Sequence, residues 1–160
     1  MKDQDVMISI KGIQGTGPHD EPEQIELVTC GKYSHAGEET VFSYMESEMT
    51  GLGKTKTTFR VGPKAVTLTR EGALNAQMVF ETGRKHIFLY ETPYGASSMG
   101  VDTRRLEHGL GETGGKMEID YTIDLDSAVV SENSFIISVS QPGKGMGANP
   151  EAPLDPARGN

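Results

Sequence analysis

Met117-Glu118-Ile119-Asp120-Tyr121-Thr122-Ile123-Asp124-Leu125 decides the fold class. Met117, Ile119, Tyr121, Ile123 and Leu125 share one parity, while Glu118, Asp120, Thr122, Asp124 and the following Asp126 share the other. In an extended chain successive side chains point to opposite faces, so this pattern describes a strand with one buried face and one solvated face. Wound as a helix, the same residues would be scattered around the axis and no apolar stripe would form.

The same period of two recurs on both sides of that stretch. Val6, Ile8 and Ile10 alternate with polar neighbours, as do Ile25 and Leu27, and later Phe135, Ile137 and Val139. Turn-forming residues punctuate the chain at short intervals: Gly51-Leu52-Gly53, Gly62-Pro63-Lys64, Gly72, Thr82-Gly83-Arg84, Pro93-Tyr94-Gly95 and Gly114-Gly115. About ten strands result, and no segment joins a helical apolar stripe to a cap. Consecutive short strands joined by tight turns make an antiparallel up-and-down meander, and closing it into a single β-barrel removes its edges. The barrel is expected over residues 1–140. Gly15 to Glu23 (GTGPHDEPE) reads as a polar loop after the first strand. Residues 141–160 hold four Pro and four Gly with scarcely any apolar content, and they read as a disordered tail.

At 160 residues with 20 Gly and 35% hydrophobic side chains, the chain suits one turn-rich all-β domain. The formal net charge of −8 argues against a nucleic-acid partner, because phosphate binding needs an excess of Lys and Arg. The basic run Lys54, Lys56, Arg60, Lys64 and Arg70 is spread along two expected strands instead of gathered on one face. No apolar stretch approaches a membrane span or a signal peptide, and Cys30 is the only cysteine. Together these features point to a reducing, cytoplasmic setting with no disulfide and no membrane partner.

Several motifs invite a chemical reading and lose it on inspection. Gly51-Leu52-Gly53-Lys54-Thr55 resembles the end of a phosphate-binding loop, but the first Gly of that signature would fall on Glu48. The Thr-rich stretch after it also reads as a strand where the motif needs a helix. His19, His35, His86 and His108 lie near different loops or strand ends and show no ligand spacing. Residues two apart on a strand stand roughly 6.5–7 Å apart, so Glu118, Asp120, Asp124 and Asp126 read as a solvated outer face instead of a cation site. Cys30 reads as a small strand residue. No cofactor or metal site and no catalytic residue is selected by these patterns.

The hairpins say more. With Thr50 to Gly53 as the loop, Tyr44 faces Phe59, Phe42 faces Val61 and Glu46 faces Thr57; a different loop length slides these pairs by two and leaves every residue on its face. With Pro63-Lys64 as the next turn, Val61 faces Val66, Phe59 faces Leu68 and Thr57 faces Arg70. Burial drives the apolar rows inward, and the row Glu46-Thr57-Arg70 shares their parity. A carboxylate and a guanidinium are therefore expected inside one end of the barrel. There they must pair with each other or with something bound, since a buried unpaired charge costs several kcal/mol.

At these residues the chain resembles a known family. Tyr44-Met45-Glu46-Ser47-Glu48, Thr50-Gly51-Leu52-Gly53-Lys54-Thr55, Arg70-Glu71-Gly72, Met78-Val79-Phe80-Glu81-Thr82-Gly83 and Tyr90-Glu91-Thr92-Pro93-Tyr94-Gly95 are similar to motifs of the YwiB-like family of small bacterial cytoplasmic domains. The resemblance runs from about Val6 to Ser140. It implies a lipocalin-like (calycin-like) β-barrel, and it implies no activity, because the family has no assigned chemistry. The long tail after Gln141 is outside the family pattern.

Barrels of this size either fill with side chains or hold one small ligand. Five Phe, five Tyr and no Trp leave room for a cavity. The first reading is therefore a binding barrel for a small, partly apolar molecule, with Glu46, Thr57 and Arg70 as polar contacts and Tyr44 and Phe59 as lining. An enzyme using Glu46 as acid or base in the same cavity is the alternative, and a protein-interaction module with a filled barrel is a third.

Overall fold

The computed structural model describes residues 3–15, 21–46, 54–126 and 128–142. They form ten strands: β1 (Gln4–Gly15), β2 (Glu23–Ala36), β3 (Glu39–Met45), β4 (Thr55–Val61), β5 (Val66–Gly72), β6 (Ala76–Phe80), β7 (Lys85–Thr92), β8 (Gly95–His108), β9 (Gly115–Leu125) and β10 (Ala128–Ser140). Among the described residues there is no helix long and apolar enough to cross a membrane. The polar loop expected over 15–23 is shorter than its composition suggests. Gln14 pairs with Glu23 and Gly15 with Glu132, so strand ladder absorbs both ends. The region expected to form a disordered tail lies outside the described residues from position 143 onward. Gln141, just before it, is tied down by its side-chain amide, which donates to Gln4 Oε1 and to the Thr113 carbonyl.

Consecutive strands pair antiparallel except β6 with β7, and β1 pairs with β10, so the sheet runs from β6 through β1 and β10 to β7. The one weak seam is the β6–β7 hairpin. Its two strands bond only at the ends, through the Asn75–Glu91 bridge and the Glu81–Arg84 turn, with Thr82 bridging to Thr103 nearby. The result is an up-and-down barrel that is nearly closed. Bulges in β8 between Thr103 and Arg105, and in β10 between Val129 and Ser131, coil the long strands as closure demands.

Alternation places the core as expected. Val6, Ile8 and Ile10 from β1, Met117, Ile119 and Tyr121 from β9, and Ile137 and Val139 from β10 are buried. A chain of rings crosses the interior. Phe42 stacks on Phe59 at 5.0 Å, Phe59 meets the edge of Phe135 at 6.1 Å, and Tyr121 contacts both Phe135 and Phe80. Gly31 sits where two layers approach closely, since a Cβ there would run into Ile8 Cδ1 and the Ser43 carbonyl.

The β4–β5 register matches the expectation pair for pair, including Thr57 opposite Arg70. The β3–β4 register differs by two residues: Phe42 faces Phe59 and Tyr44 faces Thr57. Facial parity survives, because the slide is even. In this register Phe42 and Phe59 stack directly across the two strands, with ring centroids 5.0 Å apart.

The acidic residues of β9 do lie opposite the core, but they are not simply solvated. Arg105 donates from Nε to Asp120 Oδ2 at 2.8 Å and from Nη2 to Glu118 Oε1 at 2.7 Å. Asp124 is buried beneath Lys85, whose ammonium pairs with it across Gly100. Long cations on neighbouring strands fold down over these carboxylates, which alternation along β9 alone does not reveal.

Candidate functional site

At one end of the barrel interior lies a cavity of about 230 Å³. Ile10 and Gly12 of β1, Leu27 of β2 and Phe135 of β10 give it apolar walls, while Tyr44, Glu46, Arg70 and Tyr121 supply polar groups. The opposite half of the interior is packed solid by Tyr33, Phe42, Phe59, Phe80 and the aliphatic residues around them, all fully buried.

The polar group is built by parity. Thr57 lies on the same inward row as Tyr44 and Arg70, and Glu46 follows Tyr44 one step nearer the barrel end. The Glu46 amide donates to the Thr55 carbonyl and so holds the end of β3 against β4. The Glu46 side chain is only 3% exposed. A carboxylate that deep needs a donor, and the Thr57 hydroxyl supplies it to Oε2 at 2.6 Å. Thr57 itself is fully buried and does not reach the cavity surface.

Arg70 is placed differently. Its side chain is 17% exposed and lines the cavity, and its Nε stands 3.9 Å from Glu46 Oε2, too far for a hydrogen bond. Among the described residues that buried Nε has no hydrogen-bond partner. Attraction between the two charges remains, but the carboxylate takes its hydrogen bond from a neutral hydroxyl. The Tyr44 hydroxyl lies beside both Glu46 and Thr57, and burial together with the Glu46 charge holds it well above the usual tyrosine range. Burial likewise pushes the Tyr121 hydroxyl up to about 12, with the nearby Arg70 charge opposing. Both phenols are thus neutral donors at physiological pH.

Of the five residues the sequence brings forward, Tyr44, Glu46 and Arg70 line the cavity, and Thr57 fixes Glu46 from below. Phe59 lies one layer deeper, fully buried, with its ring against Phe135, which does line the cavity. Alternation did not bring forward Gly12, Tyr121, Asn133 or Phe135, which join the site because β9, β10 and β1 close the barrel beside β3 to β5. Their inward parity was readable, but their height along the barrel was not.

The other motif residues stay apart from this site. Thr55 opens β4 directly after Lys54, so a strand follows the glycine-rich turn and no helix is there to receive a phosphate. The turn itself lies outside the described residues, as does His19. His35 bonds Thr40 and His86 bonds Glu81, on separate parts of the barrel. Cys30 is an exposed strand residue whose Sγ lies 3.6 Å from Met7 Sδ.

Comparison with known proteins places this barrel in a family. Residues 8–137 match the model of a domain of unknown function, DUF1934. The chain belongs to the DUF1934 family. A member-like relative, described as the uncharacterized beta-barrel protein YwiB of Bacillus subtilis (strain 168), is 31% identical over 99 residues, which span 62% of this chain and 68% of the relative. The crystal structure of the ywiB protein from Bacillus subtilis superposes with a TM-score of 0.75 at 24% identity, covering 87% of this chain and 92% of that one. The β-barrel fold is thus shared over most of both chains.

Proposed function

We propose that this DUF1934 barrel binds a small, partly apolar molecule in the cavity at its open end, in the manner of calycin-like binding barrels of the cytoplasm. The observation that carries the reading is the division of the interior. One half is packed to closure by rings, while the other keeps about 230 Å³ walled by Ile10, Leu27 and Phe135 around a charged polar group. A few convergent polar side chains in an otherwise apolar concavity are what small-molecule sites consist of.

Native mass spectrometry of freshly purified protein tests this reading. A non-covalent adduct of small-molecule mass is expected on the wild type. It should be lost in Gly12→Leu, whose side chain would grow from β1 into the cavity. A clean wild-type spectrum, together with no thermal shift across a library of small organic molecules, overturns it.

A further inference from the structure

We infer that the ligand of this cavity is a compact monocarboxylate whose anionic head docks on Arg70. The inference rests on the interior-site reading above and names its chemical class. Among the described residues Arg70 is the one cation lining the cavity, and its bond to the neighbouring acid is incomplete: Nε is buried, lacks a partner among those residues, and sits 3.9 Å from a carboxylate oxygen already taken by Thr57. A guanidinium offers five donors in a planar fork that suits a carboxylate, and leaving even one buried N–H unpaired is costly. An incoming carboxylate would dock on the terminal nitrogens that Arg70 presents to the cavity, with Glu46 beside it.

The barrel itself shows that one guanidinium can serve two acids. On the outer face Arg105 bonds Asp120 and Glu118 simultaneously, and Glu107 lies 3.3 Å from its third nitrogen. Tyr44 and Tyr121 line the same cavity; the Tyr44 hydroxyl is held by Glu46, which leaves the Tyr121 hydroxyl as the phenolic donor beside the docking point.

Charge and size narrow the class. Glu46 lies beside Arg70 and Glu23 lines the same cavity, so a second full negative charge on the ligand, as on a phosphate dianion, would be repelled. A cavity of about 150 Å³ accommodates benzene. By proportion, about 230 Å³ takes roughly nine or ten non-hydrogen atoms, with the ring or branched body against Ile10, Leu27 and Phe135.

Benzoate and its neutral counterpart benzyl alcohol test the assignment by titration against ¹⁵N-labelled full-length protein, followed by amide shifts. Benzoate is expected to shift the amides of Arg70, Tyr121 and Phe135 and to bind about tenfold or more tighter than benzyl alcohol, the advantage a charge-assisted fork confers. In Arg70→Met the two should bind alike, at the level of the alcohol. Inorganic phosphate should not displace benzoate. Equal binding of benzoate and benzyl alcohol to the wild type overturns the carboxylate assignment and leaves the interior site standing. That comparison needs no variant to fold. Displacement by phosphate also overturns the assignment. If neither probe moves a cavity amide at about 10 mM, the interior-site reading fails and takes the carboxylate with it.

Discussion

Replacing Thr57 by valine removes one hydroxyl and keeps the shape of a fully buried side chain. The lost bond is the 2.6 Å donation to Glu46, whose carboxylate has almost no access to water. A hydrogen bond to a charged group contributes about 1.5–3 kcal/mol, and the penalty lies at the upper end when the charge left behind is buried. Arg70→Met removes a charge instead. Two unit charges about 4 Å apart attract by about 4 kcal/mol at an effective dielectric near 20. Removing the guanidinium also relieves the desolvation of a buried N–H that has no partner, which costs about 1–3 kcal/mol, and a partly exposed charge is screened further. The net loss for Arg70→Met should be about 1 kcal/mol, below that for Thr57→Val. Urea unfolding at neutral pH measures both. With a slope of roughly 2 kcal/mol per molar, Thr57→Val should lower the midpoint by about 1.5 M and Arg70→Met by about a third of that. A loss of 3–5 kcal/mol in Arg70→Met beside a near-neutral Thr57→Val would refute the reasoning. It would make Arg70, and not Thr57, the partner that holds Glu46.

Three further outcomes are expected. Phe59→Ala, which opens a void between the Phe42 and Phe135 rings, should cost about 3–5 kcal/mol in the same unfolding assay; a loss under about 1 kcal/mol would mean the ring chain does not carry the packed half. Arg105 holds the Asp120 and Glu118 carboxyls below their ordinary values, and a carboxylate depressed in the folded state adds stability above its unfolded pKa of about 4, losing it as pH falls through the folded value. Arg105→Gln should therefore be less stable than wild type at neutral pH, and the gap should close as the pH is lowered below about 4; a gap that does not change with pH would place the effect in packing. Ultraviolet absorbance titration should show part of the tyrosine ionisation delayed toward pH 12, where Tyr121 ionises, and unfolding in denaturant should bring it back to about 10. Because its folded value is raised, the stability Tyr121 contributes is present below about pH 10 and is lost as the pH climbs through 12.

What could be read from the chain was facial parity, because a strand repeats every two residues and burial enforces it. Met117, Ile119 and Tyr121 are inward, as are Phe59, Val61, Val66 and Leu68, and Arg70 follows them. Pro63-Lys64 was enough to set the β4–β5 register, since the four-residue turn closes with Gly62 N donating to the Ala65 carbonyl. The β3–β4 register was not fixed by its turn residues, because several loop lengths keep the same parity and both registers set aromatic rings opposite Phe59. Contacts made around the circumference were also out of reach. Lys85 over Asp124 joins β7 to β9 across β8, and Phe135 meets Phe59 across the interior, so both depend on closure and on the coiling introduced by the two bulges.

That two-residue slide sets the chemistry of the site. With Tyr44 opposite Phe59, Glu46 would stand directly across from Thr57 in the row of Arg70, with acid and base sharing one layer. The observed register carries Tyr44 into the row of Thr57 and Arg70 and moves Glu46 one step nearer the end of the barrel. Glu46 then reaches Thr57 along a diagonal and falls short of a hydrogen bond to Arg70. The small residues left in that layer, Thr57 and Ala76, with Gly12 on the wall of the cavity, cannot fill what the rings fill one layer below. The stacked phenylalanines thus close one half of the barrel. The register that stacks them also leaves the Arg70 Nε without a hydrogen-bond partner among the described residues, at the edge of the space that remains.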